Sequence, residues 1–161
     1  MKRYDVVALG ELLIDFTQNG KSTQGNPVFE ANPGGAPCNV LAMLRKLGRT
    51  CAFIGKVGDD MFGRQLRAVA EGVGIDMSAL RMDGNVHTTL AFVKTAANGD
   101  RDFSFYRDPG ADMMLTESEL PMDMIRDTRI FHFGTLSMTH EGVRAATRRA
   151  VATAKAAGAI V

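Results

Sequence analysis

Asn32-Pro33-Gly34-Gly35-Ala36-Pro37-Cys38-Asn39 runs without a break into residues 40–47, where Val40, Leu41, Leu44 and Leu47 recur at helical spacing. A glycine pair lets the backbone turn tightly and approach a ligand closely. A helix beginning just behind it directs backbone N–H groups at whatever occupies the turn. The stretch therefore reads as a ligand cradle between a strand and a helix. Some twenty residues on, Gly55-Lys56-Val57-Gly58-Asp59-Asp60-Met61-Phe62-Gly63 repeats the pattern, closing an apolar strand and opening another helix.

Working outward, residues 5–9, apolar throughout after Asp5, end at Gly10 and have the pattern of a strand buried on both faces of a parallel sheet. Residues 16–29 turn polar, with Asn19-Gly20 and Asn26-Pro27 as turn signals, and suggest an excursion away from that sheet. Gly48 ends the first helix, and residues 51–54 are the next buried strand. Asp59 is placed to cap a helix bearing Phe62, Leu66 and Val69, which Gly72 and Gly74 break before a short strand at Ile75. Residues 88–95 and 101–107 gather strand formers around Ala97-Asn98-Gly99-Asp100, a hairpin signal. A further strand at 130–133 ends at Gly134, and a helix follows from about 139 to 157 with Gly158 past its end. Ala159-Ile160-Val161 starts a strand, so the expectation is a chain that stops part-way through a domain. The alternation of buried strands and helices predicts an α/β fold.

Composition narrows the class. With 161 residues, 45% apolar and 23% charged, the chain can bury one sizeable core. Lys and Arg number 19 against 18 acids, a formal charge of +1, which leaves no broad field for nucleic acid or acidic lipid. Cys38 and Cys51 lack the paired spacing of a zinc or disulfide framework and read as reduced thiols of a cytoplasmic protein. The amino-terminal apolar run is interrupted by Asp5, Glu11 and Asp15, with no cleavage site and no run near the length of a membrane span. Gly20-Lys21-Ser22 mimics the end of a phosphate-binding P-loop, but the required first glycine falls on Asp15. No Gly-x-Gly-x-x-Gly follows the first strand either, which argues against a nicotinamide-dependent oxidoreductase.

Several residues have two readings. Asp15, at the end of an apolar run, is either a turn former or an acceptor for two sugar hydroxyls. Gly34 and Gly35 make a turn or a ligand approach, and Asn39 is a solvated first-turn residue or an amide that bonds a hydroxyl. Strand alternation puts Phe103, Phe105 and Arg107 on one face and Ser104 and Tyr106 on the other, giving a core or dimer contact or else an apolar floor with a guanidinium donor. Asp59 and Asp60 read as capping residues rather than a metal pair, and His132 and Gly134-Thr135 receive no role.

Residues 34–63 resemble the first signature of the PfkB (ribokinase-like) carbohydrate kinases. Phe103-Ser104-Phe105-Tyr106-Arg107-Asp108-Pro109-Gly110-Ala111-Asp112-Met113-Met114-Leu115 and the opening Gly10-Glu11-Leu12-Leu13-Ile14-Asp15-Phe16 are similar, more narrowly, to the fructokinases within that family. The resemblance implies a three-layer α/β/α fold with a mainly parallel central sheet and a small β lid. Residues 1–161 would be the N-terminal half of a single kinase domain, with lid segments at about 12–32 and 84–107. It implies transfer of the γ-phosphoryl group of ATP, with Mg2+, to a hydroxyl of fructose. Asp15, Gly34, Gly35, Asn39, Phe105 and Arg107 would hold the sugar, and two copies would pair through the lid. The catalytic aspartate, its Gly-Ala-Gly-Asp anion hole and most of the ATP pocket belong to the family's C-terminal half, and no such motif occurs in residues 1–161. Phosphorylation of ribose, 2-keto-3-deoxygluconate or a nucleoside, and a non-catalytic sugar-binding module, are the alternatives.

Overall fold

A computed structural model describes residues 2–95 and 100–161. The continuous apolar run becomes β1 (Tyr4–Leu9), in the interior of a parallel sheet. β4 (Cys51–Gly58) lies on one side of it and β8 (Thr128–Phe133) on the other, and β5 (Asp76–Asp83) pairs outside β4, giving the order β5-β4-β1-β8. Alternation within β1 divides the core. Val6 and Ala8 pack with Phe53, Leu41 and Leu66 beneath α1 (Ala36–Lys46) and α2 (Met61–Gly72). Val7 and Leu9 pack with Ile54, Phe131, Val143 and Ala150 beneath α4 (Glu141–Ala156), with Ile125 of the short α3 (Met122–Arg126) beside them. Both faces of the inner strands are thus covered, which is why residues 6–9 of β1 and 51–54 of β4 read as apolar runs. Ile160 continues the parallel pairing beyond β8 through a bridge to Ile130.

The remaining strands build a second sheet. β2 (Leu13–Lys21) and β3 (Pro27–Gly34) form an antiparallel pair, and β6 (Leu90–Thr95) and β7 (Arg101–Tyr106) form another. β2 and β6 join them in parallel, giving β3-β2-β6-β7. The polar excursion at 16–29 is therefore a pair of ladder-bonded strands rather than irregular chain. Residues 97–99 of the expected hairpin turn lie outside the described residues. Near Ile75 the strand is eight residues long rather than short, and Ile75 itself precedes it.

Two further differences have clear causes. Asp60, not Asp59, caps α2: its Oδ1 accepts from the N–H groups of Phe62 at 3.0 Å and Gly63 at 2.8 Å, whereas Asp59 is exposed and paired with Arg64. The choice is tertiary, because Asp60 also accepts from the Thr88 N–H and hydroxyl, both at 2.8 Å. The 111–126 segment, for which the sequence suggested no element, forms 3-10 turns at Ala111–Met114 and Glu117–Glu119 before α3. It is tied to the sheet by Lys56, a buried cation of β4 that bonds Glu119 Oε1 at 2.7 Å and the Met114 carbonyl at 3.0 Å.

Burial pushes the Asp60 carboxyl up, but the hydrogen bonds from Thr88, Gly63 and Phe62 outweigh it and hold the group below the usual carboxylate range. A lowered pKa in the folded state adds stability that is present above the unfolded value and fades as pH falls through the folded one. Asp60→Ala is expected to reduce stability by about 1–2 kcal/mol at neutral pH, and by less under acid conditions, read from urea midpoints.

Candidate functional site

The second sheet springs from the carboxyl end of β1 and returns at the amino end of α1, so the glycine bend lies where the two sheets meet. Register fixes which residues share a face. Asn32, Asp15, Ala91 and Phe105 are direct neighbours across all four strands and project to one side. Ala31, Phe16, Phe92 and Ser104 make the next row and project to the other. That other face is an aromatic layer: Phe16 stacks on Phe92 at 4.9 Å and meets Phe62 of α2 edge-on at 5.6 Å, and Tyr106 meets Phe92 at 5.3 Å. It anchors the second sheet to the main core. Asp15 and Phe105 are left on the opposite, open side, where Phe105 stacks with Phe103 at 6.0 Å and both rings are half exposed.

Asp15 is packed against the bend itself. A Cβ placed on Gly34 would overlap Asp15 Oδ2 and lie 2.9 Å from its Cγ, so the carboxylate rests on bare backbone. Gly35 has φ +118°, a region that favours glycine, and a Cβ there would stand 2.5 Å from the Glu11 carbonyl. Asn39 is exposed in the first turn of α1, its N–H donating to the Gly35 carbonyl at 3.0 Å. Its side chain also borders an apolar crevice of about 120 Å³ between α1 and α2, with Leu12, Pro33, Val69 and Val73.

The array of free amides expected at the start of α1 is smaller than the sequence suggests. Ala36 N–H donates to Glu11 Oε1 at 2.9 Å, and Pro37 has no N–H, so of the first three helical positions Cys38 alone keeps a donor for a ligand. Glu11 is 4% exposed, and its Oε2 has no hydrogen-bond partner among the described residues. Burial raises its pKa and outweighs the amides of Glu11 and Ala36, while the Asp112 charge adds to the rise and Arg107 opposes it. No local pattern marks this role, since the glutamate reaches a helix 25 residues away.

Arg107 leaves the alternation of β7, which ends at Tyr106. Its guanidinium is paired with buried Asp112 at 2.6 Å. Asp15, Gly34 and Gly35 therefore meet at one junction, and Phe105 lies in the same cross-strand row as Asp15, two strands away. Asn39 stands at the start of α1, and Arg107 bridges toward the segment after β8 through a hydrogen bond to Thr139 Oγ1 at 3.0 Å. His132, within β8, is half buried and paired in register with Ala8. Burial pushes the thiol of Cys38, beside the bend, up to about 11, which makes it a packing group rather than a nucleophile.

A parallel sheet covered on both faces, with a small sheet attached at its carboxyl ends beside a glycine bend, is the ribokinase-like architecture. Solved structures agree: a fructokinase from Xylella fastidiosa superposes with a TM-score of 0.91 at 34% identity, covering 98% of this chain and 49% of that one. The fructokinase with bound ATP from the same organism gives 0.88 at 34% identity, covering 98% and 48%. The chain belongs to the pfkB family of carbohydrate kinases, whose family model matches residues 3–161. Among curated relatives, Fructokinase-1 of Oryza sativa subsp. japonica is 46% identical over 158 residues, 97% of this chain and 49% of that protein. The chain spans about half the length of the curated relatives it matches.

Gly35→Ala is expected to lower stability by about 1–3 kcal/mol, because both the backbone angle and the Glu11 carbonyl resist a methyl group. Gly34→Ala should cost less, since the atom that must yield is the end of the Asp15 side chain; urea midpoints of the two variants compare them directly. For Glu11 the sign is opposite to that of Asp60. A carboxyl whose folded pKa is raised holds a proton in the native state that the unfolded chain has lost, so its stabilisation declines as pH rises through that window. Denaturation from about pH 4 to about pH 7 should show stability falling more steeply in the wild type than in Glu11→Gln.

Proposed function

We propose that the protein carrying this chain is a fructokinase, transferring the γ-phosphoryl group of ATP to a hydroxyl of fructose, and that residues 1–161 supply its sugar-binding half. The observation that carries this reading is the packing of Asp15 against Gly34 beside the Gly35 bend, with Phe105 in the same cross-strand row. A carboxylate accepts from two hydroxyls at once, bare glycine backbone admits a ring close to the chain, and a phenylalanine floor covers its C–H face. The second sheet acts as a lid, with segments at about 12–32 and 84–107. The names of the relatives, and the ATP in one of the Xylella structures, support the same substrate and donor.

The residues of this chain do not by themselves fit MgATP. Among the described residues no group of three or more His, Cys, Asp or Glu side chains could hold a metal ion, and the first-turn amides of α1 are mostly engaged or missing. By family resemblance the nucleotide, its Mg2+ and the catalytic aspartate are held by the other half of the protein. What this half contributes is orientation: bringing one hydroxyl into line for attack, which converts a bimolecular encounter into a positioned one.

A homodimer through the lid fits the half-exposed Phe103 and the outer edge of β7, which has no partner strand among the described residues. A cytoplasmic setting fits the two free cysteines. No helix among the described residues is long and apolar enough to cross a membrane, and the +1 charge offers little to nucleic acid.

The test is steady-state turnover of the full-length protein with ATP and a panel of sugars. Fructose-dependent ADP formation, with kcat/KM for fructose above that for ribose, 2-keto-3-deoxygluconate and nucleosides, is the expected result. Asp15→Asn should lower kcat/KM about 10- to 100-fold, the loss expected for a charged hydrogen-bond acceptor. Absence of fructose turnover would refute the assignment.

A further inference from the structure

Arg107 is held more firmly than a sugar-contacting arginine at a strand end requires. Its Nε and Nη2 both donate to Asp112 Oδ2, at 2.8 and 2.6 Å; Nη2 also donates to the Leu136 carbonyl at 3.1 Å and Nη1 to Thr139 Oγ1 at 3.0 Å. The side chain of Asp112 is 3% exposed, and its second oxygen accepts from the Thr89 hydroxyl at 2.5 Å. A guanidinium has five N–H donors. Those four bonds use one from Nε, two from Nη2 and one from Nη1, which leaves a single N–H on Nη1.

The anchors come from three separate places. Asp112 is in the 3-10 turn at Ala111–Met114, Thr89 stands just before β6, and Leu136 and Thr139 follow β8. The chain after β8 begins at Gly134, where an added Cβ would lie 2.8 Å from both Glu11 Oε2 and Pro37 Cγ. Arg107 therefore spans from the end of the lid strand β7 to the loop beside the glycine bend.

We infer that Asp112 is a positioning residue for the sugar site: it fixes the plane and reach of Arg107 so that one N–H, on Nη1, is presented to a single hydroxyl of the bound sugar. The inference rests on the sugar-kinase reading above. The physical advantage is preorganisation. A long flexible cation ordered in advance loses no rotamer freedom when the ligand arrives, and a fork with four of its five donors taken recognises direction, which a lysine at this position would not. Asp112 does not need to touch sugar to have this effect.

The experiment uses the full-length protein with fructose and a series of monodeoxyfructoses. Arg107→Met identifies the hydroxyl it reads, as the analogue whose disadvantage against fructose shrinks. Asp112→Asn is expected to lower kcat/KM for fructose about tenfold and to shrink the preference at that same hydroxyl, and no other, toward the Arg107→Met value. Arg107→Met/Asp112→Asn should be no worse than Arg107→Met alone. Thr89→Val, which keeps both charges and only loosens the carboxylate, should give an intermediate loss at that hydroxyl, so the inference stays testable if Asp112→Asn folds poorly. A wild-type preference in Thr89→Val and in folded Asp112→Asn, or equal losses at every hydroxyl, overturns it. Failure of the wild type to turn over fructose would sink the underlying assignment instead, which separates the two.

Discussion

The Asp15 carboxylate can lie against the chain at position 34 only because no side chain stands there, and much of the architecture follows from that contact. Gly34 ends β3, Gly35 turns the chain with φ +118°, and α1 begins one residue later. A methyl group at 34 would displace the acid, and one at 35 would collide with the carbonyl of Glu11 at the exit from β1. The two sheets thus approach each other where bare glycine backbone leaves room for the Asp15 carboxylate.

Around this point the second sheet separates its duties by face. On its aromatic side Phe16 meets Phe62 of α2 and carries Phe92 and then Tyr106 outward from the main core. The other side keeps Asp15 and Phe105 clear of that packing. Strand periodicity produces this division, since shifting β2 by one residue would exchange the faces of Asp15 and Phe16.

How far the sequence revealed this depends on how local each cause is. The inner parallel strands were legible because helices cover both faces and residues 6–9 and 51–54 are apolar, and the glycine bend because φ > 0 demands a particular residue. β2 and β3 beyond residue 17 were not, because their outer parts are exposed on both faces and carry no alternation. The cap of α2 was misplaced by one residue because the choice between Asp59 and Asp60 is made by Thr88, 28 positions away. The 111–126 segment was silent for the same reason: its order comes from Lys56 and from the Arg81 bond to the Glu119 carbonyl. Of the candidate site residues, Asp15, Gly34, Gly35 and Phe105 were named from the motif, whereas Glu11 and Asp112 lie inside the same quoted stretches but received no role, because what they bond is set by tertiary contacts.

Glu11, Asp112 and Arg107 also set the electrostatic character of the junction. Two buried carboxyl groups share one guanidinium, and geometry assigns it: Asp112 takes two N–H donors, while Glu11 receives backbone amides and keeps one oxygen without a partner. Coulomb interaction between the two acids raises the pKa of Glu11, and the arginine only partly offsets it. A second ionised carboxylate there would compete for the arginine and cancel the directionality that Asp112 gives it. Burial and the neighbouring Asp112 raise the pKa of Glu11 while its Oε1 holds the Ala36 amide at the helix start. The bend and the arginine are thus fixed by two different acids in one small volume, Glu11 through a backbone amide and Asp112 through two N–H donors of Arg107.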